Sequence, residues 1–278
     1  MTTVVKVGGR AQSDPALPAA IAALWRERPG ALCVVHGGGD EVSALQSRLG
    51  GVPEFVGGRR VTSEQDIETL RMALSGSANK RLVAALIALG VPAVGLSGED
   101  GALLSARTAR GGALGRVGDV TAVDARLLRH LMDGHYLPVL SPLSRDAAPS
   151  AGAAGALNVN ADDAAAAVAA ALGAVELLLI SDVPGVLVGD GPASELDAGA
   201  ARALVRNGTA RGGMAAKLEA ALAALERGVV RVRVGDVAAI GDRARGTAVV
   251  AAASAASVAS LEVEAIEAIE ATATEGVS

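Results

Sequence analysis

Seven short runs rich in β-branched residues alternate along this chain with seven stretches patterned as helices, and this alternation restricts the fold more than any other feature. The runs are 2–7, 31–35, 93–97, 137–141, 175–181, 229–234 and 247–252. The helical patterns are 14–27, 40–49, 63–74, 78–90, 124–134, 161–173 and 213–227. Short, nearly continuous apolar runs read as strands buried on both faces, so the pattern predicts an α/β fold with an open, mainly parallel central sheet between layers of helices. Two further stretches, 55–62 and 102–121, are rich in Gly, Arg, Val and Thr and read as hairpins outside the main sheet. The segment "SRDAAPSAGAAGALNVNAD" at 144–162 reads as a loose connection into a second lobe, giving lobes of about 1–150 and 151–250. Beyond Val250 the chain is Ala-rich and then carries five glutamates with no lysine or arginine, so 251–278 is expected to be a peripheral acidic tail.

Composition removes several classes of function. Phe55, Trp25 and Tyr136 are the aromatic residues, too few to stack successive bases, and the net charge of −5 comes with no basic run, so nucleic acid is not an expected partner. Cys33, the single cysteine, lies in the apolar run "ALCVV" and is expected in the core, as in a protein of a reducing compartment. The start "MTTVVKVGG" lacks the pattern of a signal peptide, and Gly, Pro or charged residues interrupt the apolar runs other than the Ala-rich ones. A cytoplasmic protein without a membrane span is expected. His36, His130 and His135 are scattered, and no HExxH, CxxC or Walker P-loop occurs.

Two glycine signals follow strands, "KVGGR" after the first and "HGGGD" after the second. At the C-terminal edge of a parallel sheet such loops let backbone N–H groups approach an anion; each is also compatible with a plain tight turn. Lys6 interrupts "VVKVGG", where a buried ammonium group would need an anion, unless it snorkels to water from a sheet edge. Lys217 sits at the margin of the helical stripe Met214, Leu218, Ala221 and Leu225, either as a solvated surface residue or beside an anion-binding helix start at Gly213. In "LNVNADDAA" either Asn160 or Asp162 can cap a helix, while Asn158 and Asn160 fall on one side of an extended segment. Arg60 in "GGRRVT" suits a bidentate clamp on a carboxylate, or is one of several surface arginines.

In this order the strings "VVKVGGR", "VVHGGGDEV", "GGRRVT", "LSGSANKRLV", "AVGLSGEDG", "LNVNADDAA", "LLLISDVPGVL" and "GGMAAKLEAA" resemble the N-acetylglutamate kinases of the amino-acid kinase family over about residues 3–250. The resemblance implies an amino-acid kinase-like three-layer sandwich whose N-terminal lobe binds the amino acid and whose C-terminal lobe binds ATP. It implies phosphorylation of the side-chain carboxylate of N-acetyl-L-glutamate, a step of arginine biosynthesis. Lys6 and Lys217 would flank the transferring phosphoryl group, with the catalytic Asp162 between them. Gly9, Gly38 and Gly39 would offer N–H groups to the γ-phosphate or the substrate carboxylate. Arg60, Asn158 and Asn160 would hold the amino acid. Gly8, Gly9, Ser181, Asp182, Gly185, Gly213 and Met214 would line the nucleotide site, and magnesium would be held mainly by phosphates and water.

The C-terminal end departs from the family pattern: "RVRVGDVAAIGDRARGTAVV" is compressed and lacks the expected Asp-Gly pair. A carrier-linked aminoadipate or glutamate kinase of lysine synthesis and a catalytically silent sensor of the same fold are the alternative readings. Only five residues precede Lys6, so the extra N-terminal helix of arginine-inhibited, hexameric relatives is not expected. The resemblance implies instead a homodimer indifferent to arginine.

Overall fold

A computed structural model describes residues 1–8, 10–56, 59–148, 155–189 and 191–251. The expected tail lies outside them except for its first residue. The strands are β1 Thr3–Val7, β2 Leu32–His36, β3 Phe55–Val56, β4 Arg59–Arg60, β5 Ala93–Gly98, β6 Leu104–Thr108, β7 Val117–Val123, β8 Leu137–Asp146, β9 Ala156–Val159, β10 Glu176–Ile180, β11 Leu187–Val188, β12 Gly191–Pro192, β13 Glu195–Asp197, β14 Arg231–Gly235 and β15 Thr247–Val250. The α-helices are α1 Leu17–Glu27, α2 Gly39–Arg48, α3 Glu64–Leu70, α4 Asn79–Ala88, α5 Arg126–Asp133, α6 Ala161–Leu172, α7 Ala198–Arg206 and α8 Gly212–Glu226.

The main sheet runs β13-β15-β14-β10-β1-β2-β8-β6-β7-β9, with β5 also paired to β8. Its central pairings, β14 with β10, β10 with β1, β1 with β2, and β2 with β8, are all parallel. Side chains alternate across such a strand, and β1 follows that rule. Val5 and Val7 pack with Leu17 and Ile21 of α1 and Leu86 of α4 on one face. Val4 packs on the other face with α6 and α8. Lys6 shares Val4's face by its parity, which aims it at α6 and α8. The run Ala164–Ala169 of α6 is buried throughout, and these short side chains let the helix lie close on the sheet. Cys33 is wholly buried in the same core, and burial pushes its thiol up to about 12.

Three regions differ from the sequence reading. The 102–121 hairpin is not outside the main sheet: β6 pairs with β8 and β7 with β9, so it extends the sheet, while β3 and β4 form a separate two-stranded sheet as expected. The described ends of the 144–162 connection are paired strand, because β8 continues to Asp146 and β9 pairs with both β7 and β8, while 149–154 lie outside the described residues. Backbone pairing on two sides compensates there for an Ala-rich sequence of low strand propensity. The helices expected at 63–74 and 78–90 are joined by a wide, π-type helical segment, Arg71–Ala78, whose Leu74 faces the glycine loop after β2. Such insertions often mark functional sites. Helix α7, which no pattern singled out, starts at Asp197, whose side chain accepts from the Ala200 N–H at 2.8 Å. Among the described residues no helix is long and apolar enough to cross a membrane.

Candidate active site

Lys6 lies near the end of β1, a central strand, so it cannot snorkel at a sheet edge. Its Nζ is 2.7 Å from Asp162 Oδ1, an ion-pair distance, though the approach angle leaves Oδ1 without a well-directed hydrogen bond. Lys217 is buried too, and its Nζ donates to Asp162 Oδ2 at 3.4 Å. One buried carboxylate therefore holds two ammonium groups. Burial holds Lys6 below the usual lysine range; Asp162 opposes that fall and Lys217 adds to it. Burial would raise Asp162, but the two lysines outweigh it and hold the carboxyl below its ordinary value. Asn160 caps α6, its Oδ1 accepting the Asp162 N–H at 2.8 Å, which fixes the first turn that carries the carboxylate.

The same cleft, with a volume of about 230 Å³, is lined by Lys6, Gly38, Gly39, Arg60, Asn158 and Asn160 among others. That is small for a ligand pocket, typically roughly 300–1,000 Å³, and suits a small acid better than a whole nucleotide. Arg60 is 7% exposed. Its Nη1 donates to Gln46 Oε1 at 2.7 Å, and its Nη2 donates to Gly39 O at 2.9 Å and Ser43 Oγ at 2.7 Å. Its guanidinium carbon stands 4.7 Å from the centre of the Phe55 ring. All these partners are neutral, and among the described residues no carboxylate lies within ion-pair distance of Arg60. Burial lowers its pKa, against the pull of Asp66 and Asp40. A buried guanidinium held this way is prepared for an anion from outside. Asn158 Nδ2 donates to Thr62 Oγ1 at 3.0 Å. Gly38 has φ 145° at the start of α2, and neither its N–H nor that of Gly39 meets a protein acceptor among the described residues.

The residues expected on the nucleotide side are not in this cleft. Ser181 and Asp182, after β10, border a separate open cavity with Arg10, Asp14 and Asp236. Ser181 Oγ is buried without a hydrogen-bond partner among the described residues, whereas Asp182 pairs with Arg10 Nη1 at 2.8 Å. The Gly8 N–H is taken by Ile180 O at 2.8 Å, so Gly8 is no free donor. A Cβ on it would stand 3.1 Å from the Ile180 carbonyl oxygen, so the close approach of the two strand ends favours glycine there. Gly185 packs tightly, since a Cβ would meet Thr247 Oγ1 at 2.6 Å. Gly213 and Met214 open α8, and Gly9 lies outside the described residues.

The family model for the amino acid kinase family matches residues 1–236. The chain belongs to the amino acid kinase family. Among curated amino acid kinases, it is 44% identical over 246 residues to the acetylglutamate kinase of Chloroflexus aurantiacus, covering 87% of this chain and 95% of that protein. The acetylglutamate kinase of Rubrobacter xylanophilus is 46% identical over 231 residues, covering 82% and 86%. Among solved structures, a Streptococcus mutans UA159 protein superposes with a TM-score of 0.78 at 27% identity, covering 90% of this chain and 98% of that one. Carbamate kinase from Giardia lamblia, at 13% identity and a TM-score of 0.67, covering 90% and 98%, shares the fold.

As in any amino acid kinase, ATP is the phosphoryl donor. Around the cleft the sequence reading missed the groups that hold the chosen residues. Ser43 and Gln46, one helical turn apart on α2, could have been found as polar positions at i, i+3 after the glycine loop. Arg59 was passed over beside Arg60, yet its two Nη atoms lie 3.0 Å from Asp119 Oδ1 and 3.0 Å from Asp163 Oδ2, tying the β3–β4 hairpin to β7 and α6. Burial raises the Asp163 carboxyl, with Arg59 opposing. The compressed C-terminal stretch forms a short turn, Val237–Ile240, capped by Asp236, and a loop gripped by buried Arg233, which donates to Asp242 O at 2.9 Å and Arg245 O at 3.0 Å.

Proposed function

We propose that this chain transfers the γ-phosphoryl group of ATP to the side-chain carboxylate of N-acetyl-L-glutamate, giving N-acetylglutamyl 5-phosphate for arginine biosynthesis. The observation that carries the reading is that one small cleft is lined by Lys6, Asp162 and a buried Arg60 whose partners among the described residues are neutral, with Lys217 held to the same Asp162. Arg60 and Asn158 fix the α-carboxylate and the acetamido group, and Asn160 shapes the floor beside them. A carboxylate is already a nucleophile at neutral pH, so no general base is required. The difficulty is to bring two anions together and to spread charge over the transferring group. Lys6 and Lys217 flank that group, Asp162 keeps both in place, and the free N–H groups of Gly38 and Gly39 face its oxygens.

The N-terminal part, about 1–150, takes the amino acid. The C-terminal part, about 151–250, takes the nucleotide along Ser181, Asp182, Gly185, Gly213 and Met214. Asp162 is already engaged by two lysines, so the magnesium that accompanies ATP draws its oxygens mainly from phosphates and water. A homodimer is the assembly proposed. Incubation with ATP, magnesium and hydroxylamine tests the reading: N-acetylglutamate should yield a hydroxamate, and glutamate or a carrier-linked aminoadipate should not. Trapping with either of those acids but not with N-acetylglutamate would overturn it.

A further inference from the structure

His36 and Asn79 are both wholly buried, and neither is used by the chemistry above. His36 ends β2, and its Nδ1 lies 2.8 Å from Gly37 O. A carbonyl oxygen only accepts, so Nδ1 carries the proton. Asn79 Nδ2 then donates to His36 Nε2 at 3.0 Å and to Val139 O at 2.9 Å, while Asn79 Oδ1 accepts from Lys80 Nζ at 3.2 Å. Turning the amide over would set its oxygen against Val139 O, so the network permits one arrangement. The space for it comes from Gly95, where a Cβ would fall 1.9 Å from Asn79 Oδ1.

The consequence falls on the glycine loop. The Gly37 N–H donates to Val7 O at 2.9 Å, one residue past Lys6, and its carbonyl faces His36. In a planar trans peptide the carbonyl and the next N–H point in opposite directions. Fixing the Gly37 carbonyl therefore fixes the Gly38 N–H, directed away from His36. We propose that His36 and Asn79 are a positioning pair that aims the Gly38 N–H at the transferring phosphoryl group. This rests on the function proposed above. It also explains why "HGGGD", "SANK" and "AVG", distant in sequence, converge: histidine, asparagine and the glycine that makes room for it form one unit. Burial lowers the pKa of His36; the Gly37 carbonyl and Glu41 oppose the fall and Lys80 adds to it, Glu41 and Lys80 being the charged groups that act on the ring.

The test has one arm with turnover and one without. His36→Leu removes the donor, and His36→Asn restores an N–H near the position of Nδ1. His36→Leu should lower kcat on the order of 10- to 100-fold, the scale of a small misplacement at a reacting centre, with both KM values within about threefold. His36→Asn should recover most of the loss. A kcat for His36→Leu within about twofold of wild type, or no recovery with Asn, refutes the pair. The second arm uses the wild-type chain, so poor folding of a variant does not remove it. Long-range ¹H–¹⁵N spectra should give His36 as the neutral Nδ1–H form from pH 6 to 8.5, and the Gly38 amide proton should move downfield on adding AMP-PNP with magnesium. An Nε2–H form, or an unmoved Gly38 amide, refutes the inference. Failure of the proposed function looks different: wild type would give no hydroxamate from N-acetylglutamate while these spectra stayed as expected.

Discussion

Replacing Asp162 with Asn removes the negative charge from a site where Lys6 Nζ stands 2.7 Å and Lys217 Nζ 3.4 Å from the carboxylate. Removing one partner of a buried ion pair costs roughly 3–5 kcal/mol, because the other charge stays buried. A ceiling comes from the lysines themselves, which can shed a proton. From an ordinary pKa near 10.4 that costs about 4.6 kcal/mol at pH 7, falling by about 1.4 kcal/mol for each pH unit above it. The expected loss at pH 7 is therefore about 3–5 kcal/mol, or about 6–20 °C in Tm for a domain of this size. The pH dependence has a fixed sign. With its folded-state pKa lowered, Lys6 binds fewer protons folded than unfolded, so stability rises as pH rises toward the ordinary lysine value. Thermal unfolding followed by circular dichroism at pH 7 and pH 9.5 should show a large Tm deficit for Asp162→Asn that shrinks at the higher pH. A deficit below about 3 °C at pH 7, or one equally large at pH 9.5, would refute the view of Asp162 as the shared anchor of two buried charges.

Lys217→Met should lower turnover in the hydroxamate assay by roughly 10²-fold, the scale for losing one preorganised electrostatic group, and near-normal turnover would remove Lys217 from the chemistry. Arg60→Lys keeps the charge and loses the planar fork, so steady-state kinetics should show a raised KM for the amino acid and little change for ATP; equal changes would point to general destabilisation. Gly39→Ala adds a Cβ in open space and should leave Tm unchanged while raising KM for the amino acid. Gly38→Ala puts a Cβ 2.7 Å from Leu74 Cδ2 at φ 145° and should lower both Tm and kcat.

Much of the fold could be read from the sequence because the central strands are largely buried on both faces and so appear as short, mainly apolar runs. Strand β9 was hidden because Ala-Leu-Asn-Val is too short to show a period, and helix α7 because its buried stripe begins with the small side chains of Ala198 and Ala201; their order comes from neighbours and one Asp cap. At the site, Lys6 was legible as a charge in a place that needs a partner, whereas Asp162 read from its local sequence as a possible helix cap and gained its role from the family resemblance. Their contact was not, since it depends on how closely an alanine-faced helix approaches the sheet. The partners of Arg60 were missed because Ser43 and Gln46 resemble the polar side of any surface helix. For the Gly8 backbone, the strand parity that aims Lys6 could be read, but the N–H taken by Ile180 could not.

The cleft also has a consequence for how ligands arrive and leave. The net charge of −5 comes entirely from the five glutamates beyond Val250, so residues 1–250 carry equal numbers of acidic and basic side chains and have no net charge with which to repel small acids. Lys6 and Arg60 line one recess, Lys217 is bonded to the Asp162 of its wall, and low-dielectric walls concentrate their positive potential at its mouth. A dianion drifting over a surface of balanced charge meets an attractive opening there, and its capture depends on ionic strength. The screening length falls from about 10 Å at 0.1 M salt to about 3 Å at 1 M. Salt should therefore slow association far more than it alters the chemistry once the acid is bound, and it should speed the departure of the more highly charged acyl phosphate from the same recess.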